Sequence, residues 1–244
     1  MTQPTHPRGL FIVFEGGDST GKSTQVAWLA AAMEQAGIPH VVTFEPGATW
    51  LGERLRGLVL DPASGAIGPV SEALLYIADK AQHVYEMVEP ALAAGLVVVS
   101  DRYTDSVIAY QGAGRGLSPV EIERLAEWAT GRLRPDLTVL LDADPTKAVA
   151  TIEQKDRLEG AGLDLHERAR AEFLRLAERD PGRYLVLTAL GGRAEVARAV
   201  RERLRCLGLD LSEPSAMLED EAGAAAPSPE PAHTRRASHD DHDG

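Results

Sequence analysis

The chain has 244 residues, a formal net charge of −12 and an apolar fraction of 44%. This is enough for one sizeable α/β domain with a real core. The charge excludes a general nucleic-acid binder, which needs a basic face to neutralise phosphates. No stretch approaches the roughly 18 apolar residues of a membrane span. The opening residues carry no apolar run of signal-peptide type, and the single cysteine, Cys206, excludes an intrachain disulfide. The expected setting is a reducing cytoplasm, with no membrane and no nucleic acid as partner.

In chain order, residues 1–8 read as a flexible lead. Leu10-Phe11-Ile12-Val13-Phe14 reads as a buried first strand. A helix is predicted from about Ser23, with Val26, Leu29 and Met33 on one face and Gly37 as its stop. A second strand begins at Val41-Val42. Helical patterns fill the intervals, including Ser71 to Ala94, which Pro90 should kink or divide. Leu96 to Val99 is a third strand, apolar enough to be buried on both faces. Leu137 to Leu141 is a fourth, His166 to Glu178 a helix, and Tyr184 to Leu187 a fifth strand. Short apolar runs alternating with helices indicate a three-layer α/β/α domain on a five-stranded parallel sheet.

The domain is expected over 9–208. From Asp210 to Gly244 the chain holds nine acidic residues and two arginines, which leaves −5 on the remainder. Segment 209–244 is rich in Ala, Pro, Ser, Glu and Asp and is expected to be disordered. Its His239-Asp240-Asp241-His242-Asp243 run reads chiefly as a solubilising end, with loose metal binding as the lesser reading.

Gly16-Gly17-Asp18-Ser19-Thr20-Gly21-Lys22-Ser23, followed by Thr24, matches the phosphate-binding loop and lies between a predicted strand and a predicted helix. Its glycines let backbone N–H groups cradle phosphate oxygens, and the helix N-terminus adds positive potential. Lys22 is expected on the β and γ phosphates of ATP and Ser23 on Mg²⁺. No Asn-Lys-x-Asp pattern for reading guanine is present. Ser100-Asp101-Arg102-Tyr103 ends the third strand, the edge at which open parallel sheets bind ligands. Asp101 is a candidate for Mg²⁺ and Arg102 for the phosphates of donor and acceptor. Asp156-Arg157-Leu158-Glu159, within a polar segment at about 153–163, is a candidate lid.

These residues together resemble the bacterial thymidylate kinases over roughly 9–207. The resemblance rests on Phe14-Glu15-Gly16-Gly17-Asp18 with its Gly-Lys-Ser-Thr, on Glu45-Pro46-Gly47 and on Asp79-Lys80-Ala81-Gln82-His83. It rests further on Asp101-Arg102-Tyr103 with Ser106 and Ala109-Tyr110-Gln111-Gly112, on Arg134-Pro135-Asp136-Leu137 and on Asp156-Arg157-Leu158-Glu159. It implies an ATP-dependent, Mg²⁺-requiring kinase that converts dTMP to dTDP, and a homodimer. It also implies that Asp18 sits near the sugar 3′-OH, that Arg102 binds the acceptor phosphate and that Tyr76 lies against thymine. Glu45, Pro46, Lys80, Tyr110 and Gln111 would line the dTMP pocket, and Arg157 would be the lid arginine. Ser19 stands where one form of the family has a P-loop arginine, so the lid must supply that charge. Lys80 and Phe44 replace arginines, Ala48 a glycine and Thr188 an aspartate. Two other readings stay open: a kinase of another nucleoside or nucleoside monophosphate, and a degenerate nucleotide-binding regulatory module.

Overall fold

The computed structural model describes residues 8–148, 156–189 and 192–214. The five predicted strands form one parallel sheet: β1 (Phe11–Gly16), β2 (His40–Phe44), β3 (Val97–Asp101), β4 (Leu137–Asp142) and β5 (Tyr184–Thr188), in the order β2-β3-β1-β4-β5. β1, β3 and β4 are buried on both faces because helices cover both, which is why they read as continuous apolar runs. Strand β3 runs two residues further than expected, so Ser100 and Asp101 belong to the sheet. Asp101 is in register with Phe14 of β1 and with Phe44 of β2. β2 and β3 therefore end level with each other and with Phe14 of β1, around the point where the chain switches sides of β1.

One face of the sheet carries α1 (Lys22–Gln35) and α9 (Arg193–Arg205). Ile12 and Phe14 pack there with Leu29, Met33, Val200 and Leu204. Helix α1 ends in a Schellman motif: Ile38 N–H donates to the Met33 carbonyl (2.9 Å), Gly37 N–H donates to Glu34 (3.0 Å), and Gly37 adopts φ +67°. On the other face lie α2 (Trp50–Leu60), α3 (Pro69–His83), α4 (Glu89–Ala93), α5 (Thr104–Val107), α6 (Pro119–Ala129) and α8 (Leu163–Arg179). A short α7 (Pro145–Ala148) follows β4.

Two wide turns of the i→i+5 type interrupt this second layer. The helix expected over 71–94 is divided into α3 and α4 by a π-turn at Val84–Val88, where Glu89 N–H reaches the Val84 carbonyl. The wider register precedes Pro90, which lacks an N–H to continue an ordinary ladder. A second π-turn spans Ile108–Gly114 and is closed by Arg115 N–H on the Tyr110 carbonyl at 2.8 Å.

The domain limit differs from the expected one. Leu209 and Leu211 are 9% and 4% exposed and join the core cluster of α1 and α9. Ordered packing therefore continues past 208. Arg8 reaches Asp136 at 3.7 Å. Residues 1–7, 149–155 with the start of the expected lid (153–155), 190–191, and 215–244 with the His/Asp run lie outside the described residues.

Candidate active site

The strand-to-helix loop after β1 has the geometry its sequence demands. Gly16 adopts φ +131°, and a Cβ there would lie 2.3 Å from the Leu141 carbonyl oxygen of β4, so only glycine fits. Ser19 also takes a positive φ of 58°. Thr20 Oγ1 donates to the Gly17 carbonyl at 2.9 Å, and Gly21 caps the N-terminus of α1. Lys22 is buried and donates Nζ to the carbonyls of Gly16 (3.3 Å) and Gly17 (2.6 Å), folding back over its own loop. Burial and the nearby Arg102 guanidinium bring its ammonium down to about 8. Ser23 Oγ donates to Asp101 Oδ2 at 2.9 Å, so the two residues expected on Mg²⁺ meet where the first turn of α1 faces the end of β3.

Arg102 is the junction of the site. It follows β3 in the left-handed region (φ +74°), a conformation that a non-glycine residue keeps only where its surroundings fix it. Its Nη1 donates to the Gly16 carbonyl (3.0 Å) and to Ser106 Oγ (3.1 Å), and its Nη2 pairs with Asp18. Asp18 also accepts from Tyr110 Oη at 3.2 Å, and the Arg102 guanidinium lies 5.5 Å from the centre of the Tyr110 ring. Burial works to raise the Asp18 carboxyl, but Arg102 and Lys22 outweigh it and hold Asp18 ionised below the usual range. The structure thus brings Gly16, Asp18, Lys22, Ser23, Asp101, Arg102 and Tyr110 into one cluster.

Three expected contact residues are placed differently. Glu45 and Lys80 face each other: Lys80 Nζ lies 2.5 Å from Glu45 Oε2, and both side chains are 2% exposed or less. His83 Nδ1 completes the carboxylate at 2.6 Å, and His83 Nε2 bonds Thr43 Oγ1 at 2.7 Å. The Lys80 ammonium is therefore committed to an internal ion pair and does not offer a base-reading group. Pro46 follows Glu45 through a cis peptide, with Arg56 Nη1 donating to its carbonyl at 2.8 Å. Arg157 turns to Glu72 and donates Nε to the Val59 carbonyl (2.9 Å), away from the P-loop. Gln111 is buried and donates to the same Glu72 at 2.9 Å. Tyr76 is buried near this cluster, and its Oη has no hydrogen-bond partner among the described residues.

Sequence reading missed four groups. Glu72, fully buried in α3, gathers Gln111, Arg115 and Arg157, which overcome its desolvation and keep it ionised. Arg56 stacks 5.9 Å from the Phe44 ring, bringing a guanidinium to the loop where position 44 lacks one. His166 of α8 lies edge-on to Tyr110, and its buried Nε2 has no partner among the described residues. It lines a cavity of about 20 Å³ with Gly16, Gly17, Asp18 and Tyr110, room for one water-sized group. Glu15, buried in β1, accepts hydrogen bonds from the loop that carries Arg102. The Phe-Glu-Gly motif was a signal for Glu15; the others carry no local pattern.

The thymidylate kinase family model matches residues 14–200. A thymidylate kinase of Cutibacterium acnes is 57% identical over 196 residues, covering 80% of this chain and 96% of that protein. One of Clavibacter michiganensis is 50% identical over 203 residues, covering 82% and 96%. A solved thymidylate kinase of Ehrlichia chaffeensis superposes with a TM-score of 0.66 at 30% identity, covering 83% of this chain and all of that one. The match spans the P-loop, the Arg102 turn and the helices that face them, and the chain belongs to the thymidylate kinase family.

Proposed function

We propose that the chain transfers the γ-phosphoryl group of ATP to the 5′-phosphate of dTMP, giving dTDP. The observation that carries this reading is Arg102. Its guanidinium spans the P-loop carbonyl of Gly16 and the carboxylate of Asp18, the boundary between a donor phosphate cradle and a sugar-binding group. The acceptor phosphate is already ionised, so no strong general base is needed. The work is positioning and charge neutralisation.

In this reading Lys22 exchanges the Gly16 and Gly17 carbonyls for the β and γ phosphates of ATP. Backbone N–H groups of residues 16–24 hold the remaining phosphate oxygens. Arg102 supports the acceptor phosphate, Asp18 takes the sugar 3′-OH, and Tyr76, Tyr110 and Gln111 bound the nucleoside with Pro46. Glu45 and Lys80 act from behind, by fixing the loop that carries Pro46. Ser23 and Asp101 would supply two hard oxygen donors at the phosphate end, a set that fits Mg²⁺. Bound there, the cation would neutralise charge developing on the transferred group. Arg157 fits the lid role only if it leaves Glu72 when the segment closes.

Two copies would associate through the layer of α2, α3 and α6. Leu58, Val70, Leu74 and Val120 are each at least half exposed there, an apolar surface that a partner would cover. Among the described residues no helix is long and apolar enough to cross a membrane, and the lone thiol of Cys206 is exposed, which suits a reducing cytoplasm. The test is ADP release with dTMP, dUMP, dCMP, AMP or no acceptor. A clear preference for dTMP is expected. Equal turnover with all four, or release without acceptor, would overturn the reading.

A further inference from the structure

We propose that Glu15 is a positioning residue for the acceptor phosphate, acting through Ser106 on Arg102; this rests on the reading of Arg102 given above. The Glu15 side chain is fully buried at the end of β1, one residue before the P-loop begins. Its Oε1 accepts the backbone N–H groups of Tyr103 (2.8 Å) and Ser106 (3.2 Å). Its Oε2 accepts the Ser106 hydroxyl at 2.6 Å. Ser106 Oγ in turn accepts Arg102 Nη1 at 3.1 Å. One carboxylate therefore holds both ends of the segment 103–106 and aims the hydroxyl that receives Arg102.

The backbone explains why this support is required. Arg102 sits in the left-handed region, at φ +74°. Such a turn does not persist from local preference in an arginine. Three contacts over-determine it: Arg102 N–H on the Phe14 carbonyl (2.9 Å), Ser100 Oγ on the Arg102 carbonyl (2.7 Å), and the Glu15 carboxylate on Tyr103 and Ser106. Only the last of these also touches the guanidinium, through the Ser106 hydroxyl.

Glu15→Gln is the informative change, because it preserves shape. The amide oxygen still accepts the two backbone N–H groups, while the new NH₂ donates to Ser106 Oγ and competes with Arg102 for it. Losing one good hydrogen bond to a charged group corresponds to roughly a ten- to hundredfold loss. The experiment is a double-mutant cycle on kcat/KM for dTMP, with KM for ATP measured in parallel. Glu15→Gln is expected to lower kcat/KM for dTMP by about that factor, with KM for ATP unchanged. In an Arg102→Ala background the same change should have an effect within about twofold. An equal loss in both backgrounds, or a matching rise in KM for ATP, would overturn the proposal and leave the role of Arg102 standing. Wild-type activity of Arg102→Ala alone would overturn both. Should Glu15→Gln not fold, Ser106→Ala carries the same cycle, since it removes the relaying oxygen and leaves the carboxylate with its backbone donors.

Discussion

Glu45 and Lys80, 35 positions apart in the chain, meet as an ion pair with almost no solvent access on either side. The carboxylate stays ionised despite its burial because Lys80 and then His83 favour the charged form. Removing one member of such a pair strands the other charge in the core. Lys80→Met should therefore lower the unfolding free energy by about 3–5 kcal/mol. Lys80→Arg should also destabilise, by about 1–3 kcal/mol, because the larger fork must enter a filled space. Urea unfolding measures both; a loss under about 1 kcal/mol for the methionine variant would mean that the pair is open to water.

Lys22→Ala should reduce phosphoryl transfer by at least about a hundredfold while the melting temperature falls little. The side chain is buried but lies over its own loop, so its loss removes charge from the reaction and leaves the core clusters intact. Turnover near the wild-type rate would remove the loop from the mechanism.

Burial, with Asp105 nearby, pushes the Glu15 carboxyl up from its usual 4.5 to about 7. Between those pH values the folded state holds a proton that the unfolded state has released, so stability falls as pH rises. For a shift of this size the effect approaches about 3 kcal/mol between pH 4.5 and 7, and Asp105, also raised, adds in the same direction. Glu15→Gln should flatten the slope. Parallel wild-type and variant stabilities at pH 5 and pH 7, from denaturant unfolding, would contradict this.

Leu211 lies beyond the composition change at 209 yet is buried against α1 and α9. Truncation after Leu209 removes it and should cost about 2 kcal/mol, a melting-temperature fall of roughly 4–8 °C. Truncation after Pro214 should leave the melting temperature within about 2 °C. Calorimetry of the two forms distinguishes a domain that ends at 209 from one that ends at 214.

What the sequence reveals follows from how local each cause is. β1, β3 and β4 were legible because double burial demands uninterrupted Val, Leu, Ile and Phe. The P-loop was legible because close backbone approach and left-handed turns restrict the residue type at fixed spacings. The Arg102 turn was legible only beside it, as a charged pair at a strand end. The pairings of Lys80 with Glu45 and of Arg157 with Glu72 were not legible for the same reason: each partner is supplied by tertiary packing, and no spacing along the chain encodes it. His166 looked like one more polar residue in a helix until α8 was laid against Tyr110. Leu211 was missed because the alternation of Leu207, Leu209 and Leu211 is too short, and runs straight into a polar, acidic stretch, to read as an element.

The wide turn at Ile108–Gly114 winds each residue through a smaller angle than an ordinary 3.6-residue helix does. Tyr110 and Gln111 are adjacent in sequence, yet both are buried, one reaching Asp18 and the other Glu72. In the proposed reading, nucleoside recognition would therefore rest partly on backbone winding, a property that no side-chain substitution can restore. Deleting one residue between 108 and 114 should return the segment to regular helical pitch and leave the sheet intact. It would also unhook one of these two contacts, so that ATP binding survives a change that acceptor binding does not.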